Sequence, residues 1–292
     1  MKSGFVSIIG KPNAGKSTLL NRFTGEKIAI VSSKPQTTRN IIRTILTDKE
    51  SQIIFMDTPG IHKPKTKLGG YMIEEINNSL SNVDVIVYLV DASKKNKDDK
   101  DIIDRLVLSK KPVILALNKI DALDKRELLP IIDKYKDKME FLGIYPISAK
   151  EGYGIDEILD EIRKNLPEGP LYYPEDSLTD QPEKVIVSEI IREKMLELLQ
   201  DEVPHGIGVE IIKFKDREGK DLVDIEANIY CERNSHKGII IGKKGTMLKK
   251  IGTRARIDIE NMLGVKVNLQ LWVKIKEDWR NNDYMLKTLG FK

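Results

Sequence analysis

A glycine-rich loop near the N-terminus carries residue types that are suited to phosphate binding. Residues 10–17 read GKPNAGKS and match the pattern G-x-x-x-x-G-K-[ST], between a predicted strand at 5–9 and a predicted helix at 16–24. Glycines allow successive backbone N–H groups to point at phosphate oxygens, and the helix N-terminus adds the positive end of its dipole. Lys16 would reach the outer phosphates, and Ser17 would offer its hydroxyl to Mg²⁺. The predicted phosphate-binding residues are Gly10, Lys11, Pro12, Asn13, Ala14, Gly15, Lys16 and Ser17.

A second motif, D-T-P-G at 57–60, directly follows the apolar run 53–56. Asp57 would hold Mg²⁺ through water, and the Gly60 N–H would contact the last phosphate, so that the loop beyond it senses hydrolysis. Taken alone, the same four residues could form a plain turn. In the context of the phosphate loop, the predicted nucleotide-binding residues here are Asp57, Thr58, Pro59 and Gly60.

Two further motifs indicate guanine as the base. N-K-I-D at 118–121 follows an apolar strand, and the Asp121 carboxylate would accept two hydrogen bonds from the ring N1–H and the exocyclic amine of guanine, which adenine does not offer in that arrangement. Asn118 would donate toward the ring and brace the loop, and the Lys119 stem would lie against the base plane. A backbone N–H of S-A-K at 148–150 would meet the guanine carbonyl. The predicted base-binding residues are Asn118, Lys119, Asp121, Ser148, Ala149 and Lys150.

The segment 34–40 (KPQTTRN) lies where a GTPase needs a threonine that coordinates Mg²⁺ in the presence of the γ-phosphate. Thr37 and Thr38 could both serve, and we favour Thr38; taken alone, the segment could be a polar surface loop. Many GTPases place Gln directly after D-x-x-G to orient the attacking water, but this chain has Ile61, whose aliphatic side chain cannot polarise water. We therefore expect slow, assisted hydrolysis. The predicted catalytic residues are Lys16, Thr38 and Gly60, and the predicted Mg²⁺ ligands are Ser17, Thr38 and Asp57.

A second glycine loop, I-I-G-K-K-G at 240–245, predicts a KH-type grip on single-stranded RNA. The two glycines would let an RNA backbone approach the main chain, and an apolar groove would hold about four unstacked bases. Residues 233–256 contain eight Lys or Arg and no Asp or Glu, although such a run could also be a solvated face and the isoleucines could be core. Trp272 and Trp279 could stack on bases or pack internally. The predicted RNA-binding residues are Ile240, Ile241, Gly242, Lys243, Lys244, Gly245, Lys249 and Arg254.

The elements that must position these motifs fall into two domains. Residues 1–166 alternate near-continuous apolar strands with helices, which predicts a doubly wound, mostly parallel α/β domain. Residues 167–182 hold four prolines and are predicted to be a linker. Residues 183–292 follow the order α-β-β-α-α-β, which predicts an α+β domain. The strands of the first domain are predicted at 5–9, 53–56, 83–90, 113–117 and 143–147, and its helices at 16–24, 68–81, 98–109, 128–139 and 154–165.

Composition adds exclusions rather than a function. The single cysteine, Cys231, rules out an internal disulfide and a cysteine-based zinc site. No uninterrupted apolar run reaches the ~18 residues of a membrane span, so we expect a cytoplasmic protein. We also expect it to be a monomer. The net charge of +4 permits an anionic partner without requiring one.

The four ordered nucleotide motifs resemble the translation-factor class of P-loop GTPases over residues 1–166. With Q-T-T-R, D-T-P-G-I, the proline-rich linker and I-I-G-K-K-G, nearly the whole chain closely resembles the bacterial Era family. That resemblance implies GTP/GDP and Mg²⁺ as ligands and a type II KH fold. It also implies binding to the 3′ end of 16S rRNA during assembly of the small (30S) ribosomal subunit, and peripheral contact with the inner membrane.

The resemblance adds one metal hypothesis. In similar GTPases, an Asn at the position of Asn13 ligates K⁺, which replaces an arginine finger, so K⁺ stimulation is expected here. Three rival functions stay open from the residues. They are a membrane-linked signalling GTPase, an RNA-binding assembly factor with nucleotide as a structural ligand, and a tRNA-modification GTPase.

Overall fold

A computed structural model describes residues 1–26, 29–31, 34, 37–61, 64–94 and 99–291, and Lys125 by its backbone alone. The chain divides into two compact units. The first comprises Met1–Lys63 and Met72–Asp180, and the second comprises Pro64–Tyr71 and Gln181–Lys292. In the described part of the chain, no helix combines the length and the apolar character needed to cross a membrane.

The first unit is built on a six-stranded sheet in the order β2-β3-β1-β4-β5-β6. All neighbouring pairs are parallel except β2 with β3, so the predicted doubly wound, mostly parallel domain is confirmed. The strands are β1 (Lys2–Gly10), β2 (Ile42–Thr47), β3 (Ser51–Asp57), β4 (Val85–Asp91), β5 (Val113–Asn118) and β6 (Gly143–Pro146).

Helices cover both faces of this sheet, which is why its central strands are almost wholly apolar. One core places residues of α1 and α5, such as Leu19 and Ile158, against β1, β3 and β4. The other places residues of α2 and α3, such as Ile76 and Leu106, against the opposite sheet face. The helices are α1 (Lys16–Thr24), α2 (Lys67–Ser81), α3 (Lys100–Ser109), α4 (Lys125–Lys136) and α5 (Ile155–Asn165).

The helix boundaries differ little from those predicted. The α1 bounds agree with the predicted 16–24, whereas α4 begins three residues earlier than predicted because Asp124 caps its first turn by accepting from the Arg126 amide. The predicted start of α3 at Asp98 lies outside the described residues. Strand β2 was not predicted, because its sequence IRTILT mixes polar and apolar residues at the sheet edge.

The proline-rich segment 167–180, here called the connecting segment, packs against the edge of this sheet. The Gln52 side chain accepts from the Tyr172 amide at 2.7 Å and donates to the Tyr173 carbonyl at 2.8 Å. The Ile45 amide donates to the Leu178 carbonyl at 2.9 Å. The segment thus has no regular helix or strand, as its prolines predict, but it is held by specific hydrogen bonds. The domain boundaries at 166 and 183 stay predictions.

The second unit has the predicted α+β order and a three-stranded sheet, β7-β8-β9. Strand β8 is antiparallel to β7 and parallel to β9, and helices cover one face of the sheet. The elements are α6 (Glu183–Leu198), β7 (Gly208–Asp216), β8 (Leu222–Cys231), α7 (Asn234–Ile241), α8 (Thr246–Leu263), β9 (Lys266–Ile275) and a final short α9 (Asp283–Thr288), which was not predicted.

Candidate functional site

The loop 10–17 connects β1 to α1 at the carboxyl edge of the parallel sheet. Its backbone is left-handed at Asn13 (φ 65°) and at Gly15 (φ 102°). A Cβ at Gly15 would lie 2.3 Å from Asn118 Nδ2, so both the backbone angle and the close approach require glycine here. The loop therefore has the tight, amide-lined turn that a phosphate needs.

Lys16 is buried at the start of α1, where its Nζ donates to the Gly10 carbonyl at 3.2 Å and the Lys11 carbonyl at 3.3 Å. Burial lowers the pKa of Lys16 to about 8, and the nearby Asp57 carboxylate opposes that shift. The ammonium group is thus poorly solvated and close to the loop, which favours an anion as its additional partner.

Ser17, Thr38 and Asp57 converge on one point. Ser17 Oγ donates to Asp57 Oδ2 at 2.8 Å, and Thr38 Oγ1 donates to the same oxygen at 3.1 Å. Asp57 Oδ1 is buried and has no hydrogen-bond partner among the described residues. Burial raises the pKa of Asp57, and Lys16 and the two hydroxyls oppose that rise. An oxygen-only cluster with an unsatisfied buried carboxylate oxygen fits a hard cation such as Mg²⁺.

The two threonines of the segment 34–40 have different surroundings. Thr37 Oγ1 donates to the Lys34 carbonyl at 2.7 Å and so closes its own loop, whereas Thr38 is buried against Asp57. The geometry thus places Thr38, the favoured candidate, in one cluster with Ser17 and Asp57. Gln36 of the Q-T-T-R motif lies outside the described residues.

The D-T-P-G turn lies beside the phosphate loop. Thr58 Oγ1 donates to the Ile8 carbonyl at 2.7 Å and is buried, so its side chain holds β1 rather than a ligand. Pro59 is buried, and Gly60 lines the same cavity as Pro12. Ile61 packs against the core on the α2 and α3 side of the sheet, which leaves no polar side chain at this position to orient water.

Asn118, the first residue of the N-K-I-D motif, holds the phosphate loop and the S-A-K loop at 148–150 together. Its Nδ2 donates to the Ala14 carbonyl at 2.8 Å, and its Oδ1 accepts from the Ala149 amide at 2.9 Å. Lys119 Nζ donates to the Asn13 carbonyl and to Asp91, both at 2.7 Å. Because Asn118 occupies the Ala149 amide, that N–H would have to be shared with a guanine carbonyl.

The carboxylate expected to read guanine is also in place. Asp121 is exposed, and its Oδ1 accepts from Ser148 Oγ at 2.6 Å. Ser148 therefore orients the carboxylate, while Lys150 remains exposed next to it. The arrangement joins a carboxylate acceptor and a backbone loop at one edge of the sheet, as guanine recognition requires.

A cavity of about 360 Å³ is lined by the phosphate loop, by Ser17 and Thr38 next to Asp57, and by Lys119 of the N-K-I-D motif. Its described lining includes residues from all three parts, such as Asn13, Lys16, Thr38, Gly60 and Lys119. The phosphate loop and the N-K-I-D motif therefore share one cavity, although Asn13 and Lys119 lie more than 100 residues apart in the sequence.

Sequence reasoning missed the side chains that support this cavity. Asp99 forms an ion pair with Lys11 and accepts from the Tyr135 hydroxyl, which anchors the phosphate loop to α3 and α4. Asp91 pairs with Lys119, and Arg22 donates to the Ala149 carbonyl at 3.2 Å. Asp91 directly follows a predicted strand, so its place at the carboxyl edge was a usable signal, whereas nothing local in the sequence marked Asp99.

In the second unit, the G-K-K-G loop connects α7 to α8. Gly242 has φ 72°, and a Cβ there would lie 2.7 Å from the Met247 Cβ, so the close approach to α8 requires glycine. The loop also turns left-handed at Lys244 and Gly245. Lys243 and Lys244 are exposed, which leaves two cations at the tip of the loop.

A groove of about 410 Å³ runs between α8 and β9 next to this loop. Gly245 lines it from the G-K-K-G loop, Lys249 and Arg256 from α8, and Leu269 and Leu271 from β9. An apolar floor with basic walls is the arrangement that unstacked bases and their phosphates require.

Gly245 and Lys249 are the predicted RNA-binding residues that line this groove, and two of the others have clearly different surroundings. Ile240 is fully buried in the core of the second unit, because the helical spacing of α7 turns it inward, so its assignment to the groove was wrong. Arg254 lies within 3.8 Å of Glu197 on α6, off the groove face, whereas Arg256 lines the groove. One helix face is marked by the spacing of Gly245, Lys249, Gly252 and Arg256. This spacing could have identified Arg256 as a groove residue. Ile241 is half-buried.

Comparisons with known proteins agree with this geometry. A family model described as 50S ribosome-binding GTPase matches residues 5–119, and a KH domain model matches residues 202–280. The chain is 59% identical to the GTPase Era of Ruminiclostridium cellulolyticum over 292 residues, which cover 100% of this chain and 98% of that protein. It is 55% identical to the GTPase Era of Clostridioides difficile, covering 99% of this chain and 98% of that protein.

Two solved structures are similar over the whole chain. One is Era in complex with MgGDPNP and nucleotides 1506–1542 of 16S ribosomal RNA, and the other is a variant of Aquifex aeolicus Era bound to GDP·AlF₄⁻. Each has a TM-score of 0.96 and 42% identity, and covers 100% of this chain and 99% of the other.

Proposed function

The chain belongs to the Era family of GTPases, and from this premise we propose that it is a GTP-dependent switch that binds the 3′ end of 16S rRNA and assists assembly of the small ribosomal subunit. The reaction is hydrolysis of GTP to GDP and phosphate. One observation carries the nucleotide half: Ser17 and Thr38 both donate to Asp57, whose second oxygen is buried without a partner. That arrangement supports a nucleotide-bound Mg²⁺.

We assign roles to the residues around this cluster. Lys16, held by two loop carbonyls, turns its charge toward the outer phosphates and offsets the charge that develops there. Ser17 and Thr38 supply hydroxyl ligands for the cation, and Asp57 orients both hydroxyls. Bound Mg²⁺ would neutralise negative charge on the phosphates. Asp121, oriented by Ser148, selects guanine.

The matched threonines test this assignment. Thr38→Ala should lower the GTP turnover rate by roughly 100-fold, since it removes a group that acts on the developing phosphate charge. Thr37→Ala should change it much less, because that hydroxyl is bonded to the Lys34 carbonyl. Single-turnover hydrolysis of GTP at saturating Mg²⁺ measures both. Equal effects of the two substitutions would refute the assignment of Thr38.

We propose that K⁺ assists the slow reaction, because Ile61 packs in the core and cannot orient water. Asn13, with its left-handed backbone in the phosphate loop, is the residue assigned to K⁺. GTP turnover measured in KCl and in NaCl at equal ionic strength tests the proposal. Equal rates in the two salts would contradict it.

The RNA half rests on the groove between α8 and β9. The exposed Lys243 and Lys244, with Lys249 on the groove wall, support contacts to the RNA backbone. The structurally similar Era bound to a fragment of 16S rRNA supports that RNA as the target. Crosslinking the protein to RNA in cells and sequencing the footprint is the direct test; a footprint outside 16S rRNA would refute the target.

The switch requires that the two ligands affect each other. If GTP tightens RNA binding, then RNA tightens GTP binding by the same factor. Titrations of each ligand at saturating concentrations of the other measure this coupling, and zero coupling would refute the switch while leaving both sites intact.

We propose a cytoplasmic location with peripheral membrane contact through the basic tip at Lys243 and Lys244. Replacing both residues by Glu should then reduce binding to anionic vesicles as well as to RNA. Unchanged vesicle binding would exclude this contact.

A further inference from the structure

One face of the three-stranded sheet of the second unit packs against α6, α7 and α8. On the opposite face, a Cβ at Gly208 of β7 would lie 2.8 Å from Leu289, so the C-terminal segment covers that end, whereas Trp272 on β9 is exposed. Strand β8 turns Ile225, Ala227 and Ile229 into the core, so the residues between them face the other way. In β9 the same alternation directs Leu269, Leu271 and Val273 to the core and places Gln270, Trp272 and Lys274 on this opposite face, here called the open face.

Trp272 is the prominent feature of the open face. Its side chain is 52% exposed, and its cross-strand neighbour in β8 is Asn228. The positions before and after it on this face are Gln270 and Lys274. A large indole ring surrounded by amides and a lysine is poorly suited to an apolar protein interface. It is well suited to stacking with a nucleobase whose edges need hydrogen-bond partners.

The acidic side chains of the open face are engaged within the sheet. Glu210 accepts from the Tyr230 hydroxyl at 2.7 Å and from Asn228 at 3.1 Å. Glu226 pairs with Lys213 at 3.2 Å. Asp224 accepts from Arg217 Nε at 3.1 Å and from Asn268 at 2.8 Å.

The lysines at the C-terminal end of β9 are in a different situation. Neither Lys274 nor Lys276 forms an ion pair with any residue that the structure describes. Glu226 and Asp224 are neutralised by ion pairs, whereas Glu210 keeps its charge because its partners are neutral. The positive charge available to a phosphate backbone therefore lies at the C-terminal end of β9, on Lys274 and Lys276.

The open face is continuous with the groove described above. β9 pairs with β8 alone, so its other edge is free within the described sheet. Leu271 lines the groove, and the next residue, Trp272, lies on the open face. Asn268 belongs to both, because it lines the groove and donates to Asp224 on the open face. A strand that leaves the groove across the free edge of β9 would meet Trp272.

We propose that the open face is a second single-stranded RNA contact, in which a nucleotide adjacent to those held in the groove stacks on Trp272 while its phosphate meets Lys274 or Lys276. This inference rests on the proposed RNA-binding function and extends it. The RNA would then be bound over a longer stretch than the ~4 nucleotides that a KH groove holds alone.

The test compares two single-stranded RNAs of related sequence, one of about 5 nucleotides and one of about 12, by fluorescence anisotropy with the full chain. Trp272→Ala should weaken binding of the longer RNA by about tenfold and leave the shorter RNA unchanged. Trp272→Phe should retain most of the affinity, because a phenyl ring still stacks. Leu108→Ala, which alters an exposed apolar side chain of the other unit, is the matched control and should have no effect.

Tryptophan fluorescence gives an independent measurement. The chain has two tryptophans, and Trp279 is fully buried with its Nε1 bonded to the Gly206 carbonyl at 2.9 Å. Quenching by acrylamide therefore reports mainly on Trp272. The longer RNA should protect this signal, and the shorter RNA should not.

The outcomes separate the two proposals. Loss of both RNAs on replacing Lys243 and Lys244 by Ala, with no effect of Trp272→Ala on either, would overturn the second contact and leave the groove intact. It would also leave Trp272 to a protein partner. If the Lys243 and Lys244 substitutions changed neither RNA, the groove proposal itself would fail. Selective loss of the longer RNA in Trp272→Ala, rescued by Phe, would support the second contact.

Discussion

Asn118 Nδ2 lies 2.8 Å from the Ala14 carbonyl, so a residue of the base-recognition motif holds the middle of the phosphate loop. The other end of the same amide accepts from the Ala149 backbone at 2.9 Å. The Asn118 side chain is nearly fully buried, and one side chain therefore fixes the spacing of two loops that are predicted to bind opposite ends of the nucleotide. Asn118 therefore has a structural role in addition to the contact with the base that the sequence predicts for it.

This relationship predicts the effect of Asn118→Ala. The substitution leaves the Ala14 carbonyl and the Ala149 amide buried without their partner, at about 1–3 kcal/mol for each group. We expect the affinities for GTP and GDP to fall together, by at least about tenfold, since both nucleotides use both loops. Titration with a fluorescent GDP and a GTP analogue measures this. Asn165→Ala, whose side chain bonds within its own helix, is the control. Loss of affinity for only one nucleotide would contradict the prediction.

Lys16 predicts a pH dependence of nucleotide binding. Burial lowers its pKa to about 8 in the absence of nucleotide, and phosphates would raise it again because they favour the charged form. Binding above pH 8 must then take up a proton, so affinity for GDP should fall as the pH rises through 8, by up to about tenfold per pH unit. Calorimetry in two buffers with different ionisation enthalpies measures the uptake directly. A flat affinity between pH 7 and pH 9 would contradict this prediction.

The variant Lys16→Arg is the control, because a guanidinium stays charged over this range and its affinity should not vary with pH. The same shift affects the stability of the nucleotide-free protein. The unfolded chain holds the Lys16 proton more tightly than the folded chain does, with a pKa near 10.5 against about 8. The destabilisation caused by burying the charged Lys16 is therefore fully present below the lower value and is relieved as the pH rises between the two, so the free energy of unfolding increases over this range.

The groove predicts different effects for two neighbouring arginines. Arg256 lines the groove, whereas Arg254 is off the groove face near Glu197. Arg256→Ala should weaken RNA binding and reduce the slope of log affinity against log salt by about 1, since one phosphate contact is lost. Arg254→Ala should change neither quantity appreciably. Anisotropy titrations over a range of KCl concentrations measure both, and a larger effect at Arg254 would refute this placement.

The arginine pair also illustrates what the sequence could predict and what it could not. The loop at 10–17 and helix α1 were predicted in full, because the motif itself requires a strand, a turn and a helix in that order. The order of helices and strands in the second domain was also predicted, because the apolar alternation of a strand such as β8 is regular. Charge composition identified the basic stretch of α8, but only the direction of each side chain around the helix separates Arg256 from Arg254.

The errors share a physical cause. Ile240 was assigned to a surface because a glycine loop follows it, but packing of α7 against the sheet decided its burial. Strand β2 was missed because it is stabilised by pairing with β3 rather than by its own pattern. Asp99 could not be found, because its partners Lys11 and Tyr135 come from distant parts of the chain. Each case depends on a contact with a residue far away in the sequence.

Gln52 gives the final prediction, and it concerns such a contact. Its side chain is fully buried on β3, accepts from the Tyr172 amide at 2.7 Å and the Tyr173 amide at 3.0 Å, and donates to the Tyr173 carbonyl at 2.8 Å. Gln52→Ala would remove three hydrogen bonds to the backbone of the connecting segment, so we expect a loss of about 3 kcal/mol in the free energy of unfolding or local release of that segment. Urea denaturation and limited proteolysis separate these two results, with new cleavage near 170–175 as the sign of release. Gln270→Ala, at an exposed position, is the matched control. Wild-type stability together with a wild-type cleavage pattern would show that other contacts, such as the Phe5–Tyr172 ring pair at 5.0 Å, hold the segment without Gln52.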